Sequence, residues 1–307
     1  MKAVVVSRFG GPEVLGVADL PEPAPGPGEV RIRVAAATVN PADIALRAGS
    51  FGGQPPLVPG WELAGTVDAV GEGVAEPRIG QAVMAVVVPS RPAGGAQAAA
   101  VVVPAAGVAP APAGASPAQA ATLPMNGLTV RLALDLLALP PGSTLAVTGA
   151  AGAVGGYALE LGKAAGLRVL ADAAPADVAL VRGLGADVVV PRGPDMAAAI
   201  RAAVPDGVDA LLDAAVLGRT ALPAIRDGGQ IAVVRGFAGE PGRGIRVRAV
   251  HVWDYATNGT ALGGLGRLAA AGRLTLRVAA TFPPEEAAAA HRRLEAGGVR
   301  GRLVLVF

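Results

Sequence analysis

The stretch VTGAAGAVGG, residues 147–156, decides how this chain is read. Gly149, Gly152 and Gly155 give G-x-x-G-x-x-G, with Gly156 after them. In a chain with 44 glycines among 307 residues, such a spacing by itself reads as well as a plain turn. The flanks separate the two readings. TLAVTG (144–149) is a short apolar strand, and the residues from about 153 to 165 read as a helix. A glycine turn between strand and helix is where a dinucleotide pyrophosphate docks. Glycine lets the backbone approach, and the helix N-terminus offers free N–H groups and the positive end of its dipole. Gly149, Gly152, Ala153, Val154 and Gly155 are the candidate cofactor cradle. No G-K-[ST] follows, so a P-loop reading fails.

Working outward, strand-like and helix-like segments alternate. RVLADA (168–173) precedes a helix ending near residue 184, and DVVV (187–190) precedes one around 196–203. DALLDAA (209–215) is expected to precede another helix, and GQIAVV (229–234) to close the series. Such alternation means βαβ units and a parallel sheet. Upstream, SPAQAATL (116–123) carries a serine cap with proline at the first helical position. The first hundred residues read instead as short strands with Gly/Pro punctuation, all-β and suited to a small barrel. EVRIRVAAATVN (29–40) alternates charged and apolar residues, and LAGTVDAVG (63–71) and QAVMAVVV (81–88) follow it. From about residue 255 the elements are mixed, ending in the strand GRLVLVF. The expected divisions are 1–115, 116–254 and 255–307.

Composition narrows the function. The formal net charge is +2, and no basic run or zinc-finger spacing marks a nucleic-acid binder. Cysteine is absent, which removes disulfides, thiolate catalysis and thiolate metal sites. The longest apolar tracts are broken by proline, short of the roughly 20 residues of a membrane helix. No h-region precedes the strand-like KAVVV, so a soluble cytoplasmic protein is expected, with no nucleic-acid and no membrane partner.

Seven segments in order carry a resemblance: MKAVVVSRFGGPEVL, GEVRIRVAAATVNPADIALRAG, VPGWELAGTVDAVGEGV, LPMNGLTV, GSTLAVTGAAGAVGGYALELGKAAG, LGADVVV and AAAAHRRLEAGGVRGRLVLVF. Together they resemble the medium-chain dehydrogenase/reductases of the zinc-independent quinone oxidoreductase branch. The resemblance implies an α/β chain with a GroES-like β-rich catalytic domain built from both ends. Between them it inserts a Rossmann domain with a doubly wound parallel sheet, the active site lying in the cleft. It implies that Asn40 contacts the nicotinamide side of the cofactor, against a turn residue before Pro41. Thr129 would face the nicotinamide ribose or phosphate, against helix packing. Val234, Arg235, Gly236 and Phe237 would flank the nicotinamide nucleotide, although Arg235 and Phe237 depart from the small residues usual there. Arg300 and Arg302 reach the cleft or lie on a solvated strand edge. Asp43 orients the loop or caps a short helix, the cap being favoured. Zinc-dependent members place a cysteine after the strand where residues 40–43 stand and a histidine where Trp61 stands. Both ligands are missing, so no metal site is expected. Ala45 replaces a tyrosine frequent in the family and leaves the catalytic proton donor unassigned.

Two functions fit. The expected one is an NAD(P)H-dependent reductase of quinones or α,β-unsaturated carbonyls, a small-molecule acceptor shaped by loops 48–59 and 89–97. The other is a non-catalytic dinucleotide-binding protein, redox-sensing or structural. For the cofactor, the family's ribose acid falls on Ala173, while Asp172 sits one residue earlier and points to the other strand face. A helix lysine of the family falls on Val178. Arg192 is the remaining cation for a 2′-phosphate, against an exposed loop arginine. NADPH is expected, with NADH as the alternative through Asp172. A homodimer is implied by resemblance, with IRVRAVHVW (245–253) as its edge strand or as a buried strand.

Overall fold

The computed structural model describes residues 1–89 and 94–307, so residues 90–93 of the expected acceptor loop lie outside the described residues. The first elements are β1 (Lys2–Val6), β2 (Leu15–Asp19), β3 (Glu29–Val39), α1 (Pro41–Arg47), β4 (Glu62–Val70), β5 (Ala82–Val86), β6 (Ala100–Pro104) and β7 (Val108–Pro110). Then come α2 (Pro117–Ala120), α3 (Pro124–Leu137), β8 (Thr144–Thr148), α4 (Ala153–Ala164), β9 (Arg168–Ala173), α5 (Val178–Gly183), β10 (Val188–Pro191) and α6 (Met196–Ala203). The last are β11 (Val208–Asp213), β12 (Ile225–Val233), β13 (Arg246–Ala249), α7 (Gly259–Ala270), β14 (Val278–Phe282), α8 (Ala287–Glu295) and β15 (Arg302–Val306).

Two compact units share the chain. One comprises Met1–Met125, Trp253–Gly272 and Leu276–Phe307; the other comprises Asn126–Val252 and Arg273–Thr275. The first unit runs to Met125 rather than to residue 115, because α2 packs on β3 and β4. Its start follows the capping logic of the sequence: Ser116 Oγ accepts the Gln119 N–H and Gln119 Oε1 accepts the Ser116 N–H.

In the first unit, β3 is the hub. It pairs antiparallel with β4, β6 and β15, and the sheet runs β14-β15-β3-β4-β5-β7. The β15 pairing sets Leu303 opposite Val39, so the last strand of the chain completes the sheet that the early strands begin. The alternation in EVRIRV has its cause here. Val30, Ile32 and Val34 enter a core with Leu63, Val67, Val83 and Val101, while Arg31 and Arg33 bond Asp68 on the neighbouring strand.

In the second unit six strands lie in the order β10-β9-β8-β11-β12-β13, all parallel. β8 and β11 are neighbours although β9 and β10 intervene in sequence, so the winding direction reverses there. Open sheets of this kind bind ligands outside the strand carboxyl ends at such a point. Two expectations change. No α-helix follows β11: residues Gly218–Ala224 form a 3-10 segment with Pro223 inside, which has no N–H for an α-helical bond. Nor does the series close at residue 234, since β13 adds a sixth strand beside β12. β13 is the sheet edge, with Arg246 and Ala249 exposed, and arginines are tolerated there because one side has no strand to pair.

Candidate functional site

The glycine turn joins β8 to α4 in the second unit. Gly149 leaves the strand at φ +64°, a conformation glycine adopts without strain. Gly155 is required by close approach: a Cβ there would lie 2.3 Å from the Gly149 carbonyl oxygen and 2.6 Å from Ala150 Cα. Gly152 differs, meeting only the Gly149 oxygen at 3.1 Å, and it is the N-cap of α4. As a glycine, the N-cap residue Gly152 brings no side chain of its own to the first turn. The first-turn N–H groups of a helix have no intrahelical acceptors, so this helix start, with Ala153 and Val154 in its first turn, suits an anionic group. The turn fits a dinucleotide pyrophosphate.

Asp172, at the end of β9, is buried. Its Oδ1 accepts the Ala150 N–H at 3.0 Å, and its Oδ2 accepts Arg192 Nε at 3.1 Å. The two residues weighed as competing cofactor determinants are thus partners. Asp172 ties the guanidinium to the glycine turn, and Arg192 remains 42% exposed at its side chain. A parallel set of bonds holds the neighbouring loop: buried Asp213 accepts Thr148 Oγ1 and the Leu217 and Gly218 N–H groups. Thr129 is buried on α3. After β12, Val234 is half-buried, Arg235 and Gly236 are exposed, and Phe237 packs against the core of this unit.

The first unit carries a buried polar network. Glu62 lies inside the otherwise apolar run WELAG and is fully buried. Arg302 Nη2 donates to Glu62 Oε1, to Thr38 Oγ1 and to Asn40 Oδ1. Asn40 Nδ2 reaches Thr38 Oγ1 at 3.1 Å, and Glu62 Oε2 accepts the Met125 N–H at 2.7 Å. Asn40 therefore has both side-chain polar atoms engaged within the unit. Arg302 is no solvated edge residue, whereas Arg300 is exposed. Glu62 and Thr38 were not singled out from sequence; a carboxylate within an apolar strand was the available signal.

Asp43 both caps and ties. Its Oδ2 accepts the Asn40 N–H and its Oδ1 the Gly60 N–H, each at 2.7 Å. Burial pushes its pKa up to about 7, against the pull of those two bonds and of Arg302. His291, on α8, is also buried and is pushed down to about 3 by burial and by Arg47.

Gly60 precedes Trp61, and Trp61 opens onto the unit's apolar pocket. Leu46, Phe51, Trp61, Val88 and Trp253 line it, with a volume of about 370 Å³. The Phe51 and Trp61 ring centroids stand 5.5 Å apart at 55°. Trp61 is buried, and its Nε1 has no hydrogen-bond partner among the described residues. An unpaired buried donor costs about 1–3 kcal/mol. Among the described residues no group of three or more His, Cys, Asp or Glu is placed to hold a metal ion, and no helix is long and apolar enough to cross a membrane.

Residues 26–113 match the family model for the alcohol dehydrogenase GroES-like domain, and residues 184–305 match that for zinc-binding dehydrogenase. A curated relative, NADPH-dependent alkenal/one oxidoreductase, chloroplastic, of Arabidopsis thaliana, is 30% identical over 252 residues, 79% of this chain and 64% of that protein. The chain thus spans less than two thirds of the length of the curated relatives it first matches. Among solved structures, an NAD-dependent alcohol dehydrogenase is 32% identical at TM-score 0.89, with 100% of both chains covered. The quinone oxidoreductase of Coxiella burnetii is 27% identical at TM-score 0.89, covering 100% of this chain and 99% of that one.

Proposed function

The chain belongs to the medium-chain dehydrogenase/reductase family, in its quinone oxidoreductase branch, and from that premise we propose that it is a reductase of quinones or α,β-unsaturated carbonyls that uses NADPH without zinc. The observation that carries the reading is the β8–α4 turn, where Gly149, Gly155 and a helix start with glycine at its N-cap leave room for a pyrophosphate against the backbone. Bound there, a reduced nicotinamide supplies a hydride. This chain's residues bind and orient: Gly152, Ala153 and Val154 would meet the pyrophosphate, and Arg192, held by Asp172, would meet the 2′-phosphate. Asn40, Thr129, Arg300 and residues 234–237 are proposed at the nicotinamide half on the resemblance. The apolar lining of the pocket in the first unit suits an uncharged acceptor.

Zinc independence rests on the absence of cysteine and on Trp61 at the family's histidine position. An enone or quinone accepts hydride without the Lewis acid that alcohol oxidation needs. The test is a panel of quinones, enones and enals with NADPH, followed by loss of reduced-nicotinamide absorbance, with and without chelator. Turnover unaffected by chelator supports the reading. Cofactor binding without turnover on any acceptor would identify a non-catalytic dinucleotide-binding protein instead, and activity that only zinc restores would refute zinc independence.

A further inference from the structure

We propose that Asp43 is a positioning residue for the acceptor: its carboxylate ties together the segments that carry Leu46, Trp61 and Val88, and so sets how tightly the apolar pocket of the first unit grips a ligand. The inference rests on the reductase reading above and adds what holds the acceptor's site.

Asp43 is fully buried, and both of its oxygens accept backbone N–H groups. Oδ2 takes the Asn40 N–H and so fixes the start of α1. Leu46, three residues on, shares that face of the helix and lines the pocket. Oδ1 takes the Gly60 N–H, at the residue before Trp61. Gly60 has φ +107°, and a Cβ there would lie 2.5 Å from the Gln97 nitrogen, so this segment is pressed against Ala96 and Gln97. The Gly60 and Pro59 carbonyls accept the Ala96 and Gln97 N–H groups, and the Trp61 carbonyl accepts the Val87 N–H, next to Val88. One carboxylate therefore pins α1 to the segment before Trp61, and through it the wall formed by Leu46, Trp61 and Val88.

Two N–H groups need two acceptor oxygens, which the carboxylate supplies. Protonation makes one oxygen an O–H donor and leaves Asn40 or Gly60 short of an acceptor. Burial raises this carboxyl to about 7; Glu62 of β4 adds to the rise, and the two backbone bonds and Arg302 of β15 oppose it. Burial holds His291 of α8 down at about 3, so it stays neutral here, and Arg47 on the same helix as Asp43 turns to Gly10, His291 and Glu295. The pocket wall is thus fully tied above about pH 7 and loosened below it.

The test needs no turnover. The probe is 4-phenylbut-3-en-2-one, an enone that carries no charge, and calorimetry reads its Kd. In the wild type that Kd should rise by up to about tenfold as pH falls from about 8 to about 6, the scale of one hydrogen bond. Asp43→Asn offers a single acceptor oxygen at every pH, so it should bind at the upper pH as weakly as the wild type does at the lower, with a level profile. His251, two residues before Trp253, is a second titratable group near the pocket in sequence, and His251→Gln should keep the wild-type dependence. A carboxyl that serves stability alone leaves Kd level in protein that circular dichroism shows to be folded. A level wild-type profile, an Asp43→Asn profile with the wild-type dependence, loss of that dependence in His251→Gln, or a probe that binds at neither pH overturns the inference. The wild type and His251→Gln together decide it if Asp43→Asn does not fold. Should the pH dependence hold while the wild type turns over no acceptor, the Asp43 tie stands and the reductase reading falls.

Discussion

Replacing Asp43 by asparagine should tilt a pH profile that two buried groups hold level. Asp43 and His291 both belong to the first unit. In the fold, burial raises Asp43 from 3.8 to about 7 and lowers His291 from 6.5 to about 3. Between about pH 4.5 and 6 the unfolded chain holds Asp43 ionised and His291 protonated, whereas the folded unit keeps both neutral. Folding therefore takes up one proton at Asp43 and releases one at His291. The Asp43 contribution is complete below pH 3.8 and is lost as pH rises toward 7. The His291 contribution runs oppositely: it is complete above pH 6.5 and is lost as pH falls toward 3. One proton corresponds to about 1.4 kcal/mol per pH unit, so the two slopes cancel in this window. In Asp43→Asn the His291 slope alone remains, and stability of the first unit should rise by up to about 1.4 kcal/mol per pH unit from 4.5 to 6. His291→Gln should give a fall of similar size. Asp68, Asp187 and Asp209 are held below the ordinary carboxylate range by their arginine, lysine and backbone partners, so their contributions are lost at pH values under this window. Trp61 and Trp253 both report on the first unit, so urea midpoints by tryptophan fluorescence at several pH values isolate it from the second unit. The amide introduced at position 43 has one acceptor oxygen fewer than the carboxyl group, which lowers the whole curve without changing its slope. An Asp43→Asn slope equal to that of the wild type would refute the reasoning.

Three further outcomes follow from the geometry. Gly152→Val places a branched side chain where only the Gly149 oxygen stands nearby, so the unit should fold while NADPH affinity drops at least about tenfold; calorimetry and circular dichroism check the two halves. Arg192→Ala should raise the NADPH Kd by about tenfold and leave that for NADH nearly unchanged, the scale of one charge-assisted contact; tighter NADH binding in the wild type would reverse the cofactor choice. Glu62→Gln strands the buried Arg302 charge and should cost about 3–5 kcal/mol in urea unfolding, whereas Glu62→Leu with Arg302→Met should recover much of that.

Sequence alone carried what depends on neighbours along the chain. Residues 147–156 needed only their own sterics: glycine where φ turns positive, glycine where the helix meets the turn, and an apolar strand before both. The alternating arginines of β3 and the Ser116 capping box were legible for the same reason, because strand and helix periods are local. Charge partnerships were not local. Asp172 and Arg192 read as rivals until β10 lay beside β9 with Val190 opposite Asp172, bringing the next turn's guanidinium to the carboxylate. Glu62 and Arg302 stand 240 positions apart, and the β4–β3–β15 pairing brings them together. That pairing also turned Asn40 into a member of a buried network. The edge position of β13 likewise came from the sheet order, since a four-residue strand with two arginines carries no period that says which side is unpaired. A side chain's partners are set by which strands the sheet makes adjacent, and that adjacency is a property of the folded chain, not of any segment within it.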